Sequence, residues 1–364
     1  MRQFDVAIVG TGGIAAVHAG DLAKLGERVR LTAVADVDAG RLTDFADRWG
    51  VPGRFPDLAA LLDAARPDVV VLCTPPGLHR PQALACLRAG VSVLSEKPPA
   101  LSLAEFDEIA AAETAGARFA TVFQHRFGSA AVNLRRLVGD PRLGPPMTAV
   151  CDTLWYRPDE YFHVPWRGKW DIEGGGPTMG HGIHQMDLLL SILGDWREVV
   201  AVAANQDRPT ATEDLSAAIV TFANGAVATV VNSLLSPRET SYLRFDFRHA
   251  TVEVSHLYGY QDENWTVTAA PGHADAVAAA WAEGPSGVGS GHGAQYAALF
   301  DALAAGGPPP VTSADARSTL ELVAAIYASA FTDQRVTRGS IGADSPFYTR
   351  MDGSGAPWGA GVRS

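Results

Sequence analysis

Three cysteines among 364 residues, far apart at positions 73, 86 and 151, leave no material for a disulfide framework. They predict reduced thiols in the core of a cytoplasmic protein. No apolar run reaches the roughly 18 residues that a membrane helix needs. Met1-Arg2-Gln3-Phe4 leads directly into an apolar strand, which predicts no signal peptide. Positive charge is also scarce: 29 Lys and Arg stand against 40 Asp and Glu, a net charge of -11. Without a basic stripe, nucleic acid is not an expected partner. An anionic ligand has to be held by local dipoles and particular cations, because the overall field repels it. An internal repeat is absent too. What remains is a globular composition, 47% hydrophobic and 19% charged, long enough for two domains.

The stretch that organises the rest is Asp5-Val6-Ala7-Ile8-Val9-Gly10-Thr11-Gly12-Gly13-Ile14-Ala15. A continuous apolar run predicts a parallel strand buried on both faces. The G-x-G-x-x-A spacing then predicts a tight turn at Gly10, a close backbone approach at Gly12 and close helix packing at Ala15. The helix that follows offers free N–H groups to an anion such as a diphosphate. A second strand, Val29–Ala35, ends at Asp36, about 20 residues on, where an acid binds ribose hydroxyls. Its charge disfavours a 2′-phosphate, although Arg41 lies close in sequence.

Further strands at 68–74, stopping at Pro75-Pro76, and at 91–94 and 119–124 alternate with helices that end at Gly90 and Gly116. This alternation predicts a parallel sheet with ligands at the carboxyl ends of its strands. Those ends carry Gly10, Asp36, Thr74-Pro75-Pro76, Glu96-Lys97-Pro98 and Gln124-His125-Arg126. After Arg126 the pattern changes to strands at 147–156, 199–205, 215–222, 226–235, 242–247, 250–255 and 265–269. Short turns between them predict an antiparallel sheet, with a hairpin at Ala223-Asn224-Gly225. Helices follow at 291–305 and 314–331. The expected division is 1–126, 127–338 and a glycine-rich tail, 339–364, that wraps the surface or a neighbour.

Three clusters carry chemistry. Lys97, at a strand end, can hydrogen-bond a substrate hydroxyl or pass a proton, or it can simply be solvated. Gly174-Gly175-Gly176 lets the chain approach something closely before a helix over 180–193. His181 and His184 lie on neighbouring turns of that helix, and Asp187 one turn further. A histidine there suits proton removal from an alcohol as hydride leaves its carbon. Helix capping and a metal set of His181, His184 and Asp187 are the alternatives. In the loop 155–170, Tyr156, Trp166 and Arg167 mix ring faces with cations, as a polyhydroxylated ligand or a packed protein face would require.

These residues together, Gly10 to Ala15, Glu96-Lys97-Pro98 and Gly174-Gly175-Gly176 leading to His184, resemble the Gfo/Idh/MocA oxidoreductases over residues 4 to 336. The resemblance implies an α/β protein: an N-terminal Rossmann dinucleotide-binding domain plus a C-terminal α+β domain with an open, largely antiparallel sheet. It implies NAD, with NADP as the second candidate, and a sugar, cyclitol or related polyol oxidised at a secondary hydroxyl. By position Lys97 and His184 match the family's lysine and catalytic histidine; on the reading of the residues themselves, Gly10, Thr11, Gly12, Gly13 and Ile14 border the diphosphate and Asp36 holds the ribose. Thr74, Pro75, Glu96, Lys97 and Gln124 flank the nicotinamide. Lys97 and His184 are catalytic, with His181 beside them. Arg126, Tyr156, Trp166, Arg167, His181 and His184 face substrate, and no metal is implied. The family also implies a homodimer or homotetramer. One departure stands out: many members place an aspartate four residues before the histidine, where this chain has Gly180. Either His181 supplies that polar group or the proton relay differs. Other activities consistent with the pattern are an NAD-dependent glycoside hydrolase or lyase with transient oxidation, and a non-catalytic NAD or sugar sensor.

Overall fold

The structure is a computed structural model that describes residues 2–358. The chain divides into two compact units. The first comprises the chain up to Ala100, with Ala104–Val122 and His292–Arg317. The second comprises Leu101–Leu103, Phe123–Gly291 and Ser318 onward. Residues 292–317, placed with the second domain by a linear reading, thus cluster with the first unit.

In the first unit, β1 (Phe4–Val9), β2 (Val29–Ala35), β3 (Gly53–Phe55), β4 (Val69–Leu72), β5 (Ser92–Ser95) and β6 (Phe119–Thr121) form one parallel sheet in the order β3-β2-β1-β4-β5-β6. The apolar runs sit at its centre: Val6, Ala7 and Ile8 in β1 and Val70, Val71 and Leu72 in β4 are fully buried. Such residues form strands because both faces are covered by helices. The short edge strand β3 was not expected, since Pro52-Gly53 reads as a break. The helix Ala39–Trp49 starts where the Asp38 side chain accepts from Arg41 N and ends at Gly50 in the left-handed conformation. The helix His292–Ala304 packs here as well. Its Tyr296, Leu299 and Phe300 share one core with Phe4, Ala15, Ala19 and Leu22.

The second unit holds β7 (Pro146–Tyr156), β8 (Trp196–Ala204), β9 (Leu215–Phe222), β10 (Val227–Ser233), β11 (Leu235–Phe247), β12 (Ala250–His256), β13 (Trp265–Ala269) and β14 (Val336–Thr337). They form one sheet in the order β13-β12-β11-β7-β10-β9-β8-β14. All its pairings are antiparallel except β7 with β10. The expected hairpin joins β9 and β10, with Phe222 N donating to Ala226 O. Burial alternates along these strands, as it must when one face is covered. The outer face exposes Val200, Val202, Ile219 and Val227.

Several parts of this unit differ from the sequence reading. Strand β11 begins at Leu235, seven residues early, and its pairing with β7 shifts register between Leu235 and Thr240. Pro237, Arg238 and Glu239 in that irregular stretch hide the strand from a pattern search. The helix Ala274–Ala282 went unseen because ADAVAAAWA shows little contrast between faces. The tail, through Trp358, packs on its own unit. Phe347, Met351 and Asp352 are buried, and Trp358 Nε1 donates to Ala211 O. Residues 359–364 of the expected tail lie outside the described residues. Among the described residues no helix is long and apolar enough to cross a membrane.

The turn after β1 makes a direct test. Gly10 has φ +86°, and a Cβ there would lie 3.0 Å from the main-chain carbon and oxygen of Cys73. Gly10→Ala should therefore lower stability by about 1–3 kcal/mol in urea unfolding. An unchanged midpoint would mean that the turn is not so constrained.

Candidate active site

The first unit presents an anion cradle. Gly10 N donates to Ala35 O at 2.8 Å, fixing the turn against β2. The helix Gly13–Ala23 then begins with Gly12 as its N-cap and no side-chain cap. A Cβ on Gly12 or Gly13 would meet nothing within 4 Å, and both residues are exposed. The first-turn N–H groups thus border open space, while Ala15 packs against the sheet with no exposure. An uncapped helix start over an empty approach fits a dinucleotide diphosphate. Ile14, the second residue of that helix, is half-buried.

Asp36 closes the other side. Its Oδ2 accepts from Thr11 N at 2.8 Å and Thr11 Oγ1 at 2.9 Å. Its Oδ1 accepts from Asp38 N at 2.8 Å and Arg41 Nη2 at 2.9 Å. Burial alone would raise its pKa. The hydrogen bonds from Arg41, the Asp38 N–H and Thr11 outweigh burial and hold it at about 2. The carboxylate is therefore ionised, and all four of its acceptor positions are used. A ribose hydroxyl bonds to it only by exchange with a present donor. Arg41, the residue that could have welcomed a 2′-phosphate, is instead paired with Asp36.

Thr74 and Pro75 follow β4. Thr74 Oγ1 donates to Gln82 Oε1 at 2.6 Å. The ring nitrogens of buried His79 lie 2.8 Å from Thr74 O and from Pro98 O, tying this strand end to the turn after Lys97. Glu96 follows β5. Its Oε1 lies 2.9 Å from His18 Nε2 and 3.3 Å from His292 Nε2, and its Oε2 accepts from Lys97 N at 3.1 Å. His18 Nδ1 meets Tyr296 Oη at 2.7 Å. Burial opposes ionisation of Glu96, yet hydrogen bonds from the two histidines hold its pKa well below the carboxylate range. Burial likewise keeps His18 neutral, so its Nε2–H donates to Glu96 while Nδ1 accepts from Tyr296. Glu96, expected beside the nicotinamide, thus spends its carboxylate inside its own unit, where it anchors the backbone of Lys97. His18, Glu96 and His292 are the one group of metal-ligand type among the described residues. Hydrogen bonding accounts for their closeness.

In the second unit, Gln124, His125 and Arg126 occupy a 3₁₀ turn. Gln124 Nε2 donates to Tyr258 Oη. Arg126, expected to face substrate, instead donates from Nε and Nη2 to the buried Asp187 carboxylate, at 2.6 Å each. Asp187 also accepts from Thr319 Oγ1. Its oxygens are committed to that pair, which removes the metal set of His181, His184 and Asp187.

The single helix expected over 180–193 is broken. A short turn of helix, Pro177–Gly180, precedes His181 and Gly182, and the helix proper is Ile183–Leu193. His181 has φ -122°, so the two histidines do not share a helical face. His184, buried in the first turn, is ringed edge-on by Phe123, His125 and Tyr258, with centroids 6.3, 5.4 and 5.9 Å away. His181 lies 5.1 Å from Trp155 and 3.4 Å from Tyr161 Oη. Along β7, successive side chains point to opposite faces. Trp155 therefore meets the histidine, and Tyr156 turns away to lie under Arg208 at 4.9 Å. Arg167 stacks on Tyr161 at 3.8 Å and on Trp166 at 4.4 Å and donates to Tyr161 Oη. Its Nη1 is 3.7 Å from Glu173 Oε1. A Cβ on Gly180 would lie 3.8 Å from that same oxygen, so Glu173 brings a carboxylate to the place of the missing aspartate. Glu173, Tyr258 and the ligand-facing role of Trp155 escaped the sequence reading, whereas Tyr161 belongs to the aromatic and cationic loop 155–170 that it singled out. Alternation along β7 sets Trp155 apart from Tyr156 without saying which of them His181 meets, and Tyr258 lies in an irregular turn with no local signal.

Comparison with known proteins agrees with this geometry. Residues 4–123 match the model described as the oxidoreductase family Gfo/Idh/MocA, NAD-binding Rossmann fold, and residues 131–255 match the Gfo/Idh/MocA C-terminal domain. The D-glucoside 3-dehydrogenase of Escherichia coli (strain K12) is 29% identical over 280 residues, 70% of this chain and 78% of that protein. The D-apiose dehydrogenase of Paraburkholderia graminis is 26% identical over 369 residues, covering 96% of this chain and 93% of that one. The crystal structure of the WlbA dehydrogenase from Bordetella pertussis, in complex with NADH and UDP-GlcNAcA, superposes with a TM-score of 0.81 at 27% identity, covering 92% of this chain and 99% of that chain.

Two measurements check the electrostatics. Asp187→Asn leaves Arg126 buried opposite a neutral partner and should cost about 3–5 kcal/mol in urea unfolding. A loss below about 1 kcal/mol would show the pair to be dispensable. The depressed pKa of Asp36 means that its contribution is complete above the ordinary value of 3.8 and is lost as pH falls towards about 2. The stability difference between wild type and Asp36→Asn should therefore be flat above pH 4 and shrink below it. A flat difference throughout would contradict the assignment.

Proposed function

Because this chain belongs to the Gfo/Idh/MocA oxidoreductase family, and its first unit is that family's NAD-binding Rossmann domain, we propose that it is an NAD-dependent dehydrogenase. Its substrate is a sugar, cyclitol or related polyol, oxidised at a secondary hydroxyl. The observation that carries this reading is His184: an imidazole in the first turn of a helix, ringed by aromatics, in a chain whose other unit offers an open diphosphate cradle. NAD, when bound, supplies the hydride acceptor. His184 takes the hydroxyl proton, so the alcohol loses one hydride and one proton and becomes a carbonyl. Lys97, its backbone held by Glu96, is the second group assigned to catalysis, as a hydrogen-bond partner of a substrate hydroxyl. Trp155 and Tyr258 offer ring faces to the sugar, and Arg167, Trp166 and His181 bond or stack at its edge.

The charge of Asp36, with Arg41 already paired to it, supports NAD over NADP. The outer sheet face, with Val202 at 64% and Ile219 at 55% exposure, supports a homodimer or homotetramer built on that face. Three buried cysteines with no disulfide support a cytoplasmic setting.

The test is a screen of aldoses, inositols and glycosides with NAD and NADP in parallel, repeated with Lys97→Met and His184→Ala. Each variant should lower kcat by about 100-fold or more while NAD affinity stays within about twofold. Wild-type rates in both would remove these two roles.

A further inference from the structure

The glycine run before His184 invites a question: what does it make room for? A Cβ on Gly176 would lie 2.0 Å from the main-chain oxygen of Glu213, and one on Gly175 would lie 2.3 Å from Tyr327 Oη. The close neighbours are therefore a carboxylic acid and a phenol of the same unit. Glu213 is fully buried. Its Oε2 accepts from Gly176 N at 3.0 Å. Its Oε1 accepts from Thr178 N at 3.1 Å and Tyr327 Oη at 2.7 Å. Thr178 Oγ1 in turn donates to Ser216 Oγ at 2.7 Å, which also accepts from Asn232 Nδ2 at 3.1 Å. A Cβ on Gly182 would lie 1.8 Å from Asn232 Oδ1. Both ends of the segment 176–182 are thus clamped from beneath, and His184 stands two residues beyond it.

We propose that Glu213, seconded by Tyr327, is a positioning residue that sets the glycine turn and, through it, the placement of His181 and His184. This rests on the reading of His184 as the proton acceptor. Glu213 is chemically suited to the task. Burial raises its pKa to about 7, against the hydrogen bonds from Tyr327, Thr178 and Gly176. A buried carboxyl held by two main-chain N–H groups and a hydroxyl fixes backbone geometry more closely than apolar packing alone. A shift of about 1 Å in an acid–base group lowers turnover by up to about 100-fold.

The experiment uses the full chain with histidines labelled at Cε1 with carbon-13, and the His184 resonance is assigned with His184→Gln. Glu213→Gln sets an NH2 group against one of the two backbone donors, and Tyr327→Phe removes a single hydroxyl. Ser329→Ala is the control. It lies on the same helix as Tyr327 and breaks comparable bonds, from Ala201 N and to Gln334 O, away from the turn. The His184 resonance should move or split in Glu213→Gln and Tyr327→Phe and stay in place in Ser329→Ala. With a sugar that the wild type oxidises, kcat should fall about tenfold or more with KM within about twofold. If Glu213→Gln does not fold, Tyr327→Phe decides alone. An unmoved resonance in the folded variants, or an equal shift in the control, overturns the proposal. Should His184→Ala keep full activity, the proton-acceptor role fails, while the resonance still decides whether Glu213 positions that histidine.

Discussion

The constraint on which the first unit depends is the reversal after β1. The chain must leave a buried central strand, turn within three residues and start a helix close to the same sheet. Gly10 meets that demand with a positive φ and a main chain pressed against Cys73. Gly12 and Gly13 keep the approach open, and Ala15 lets the helix settle. A larger residue at 10 would push the helix away, and the row of N–H groups that makes the cradle would no longer face open space. Fold and anion site are thus consequences of one local geometry.

Three buried or partly buried acids show how environment decides what a carboxyl does. Asp36 takes four donors, one of them a guanidinium, and ionises readily. Glu96 takes two imidazoles and a backbone N–H and stays charged despite its burial. Glu213 has donors in similar number, but its partners are two backbone amides and a phenol, with no cation among them, and its pKa rises to about 7. What separates the three is the kind of donor that meets the carboxylate, a guanidinium at Asp36, two imidazoles at Glu96 and only amides and a phenol at Glu213, against the burial each must overcome.

Much of this was legible in the sequence where the signal is local. The turn at Gly10 to Ala15, the acid at 36 and the hairpin around Asn224 each follow from neighbours along the chain. What was hidden depends on partners distant in sequence. Arg126 looked available until Asp187, 61 residues on, was seen to hold it. Tyr156 was named and Trp155 passed over because the alternation of the expected strand 147–156 does not say which face His181 occupies. The Gly174-Gly175-Gly176 run correctly announced a close approach, but nothing nearby in sequence names Glu213 and Tyr327 as what approaches. The helix expected over 180–193 failed as a single element because Gly182 and its neighbours answer to Asn232, far along the chain.

The helix His292–Ala304 returns, late in the chain, to complete the core begun by Phe4, Ala15 and Leu22. A polypeptide that stopped near residue 126 would emerge from the ribosome with that core unroofed and Phe4, whose ring sits 5.0 Å from Phe300, bare to water. The nucleotide-binding half is therefore not a detachable cassette. It has to wait for nearly the whole chain to be synthesised before its own folding can finish.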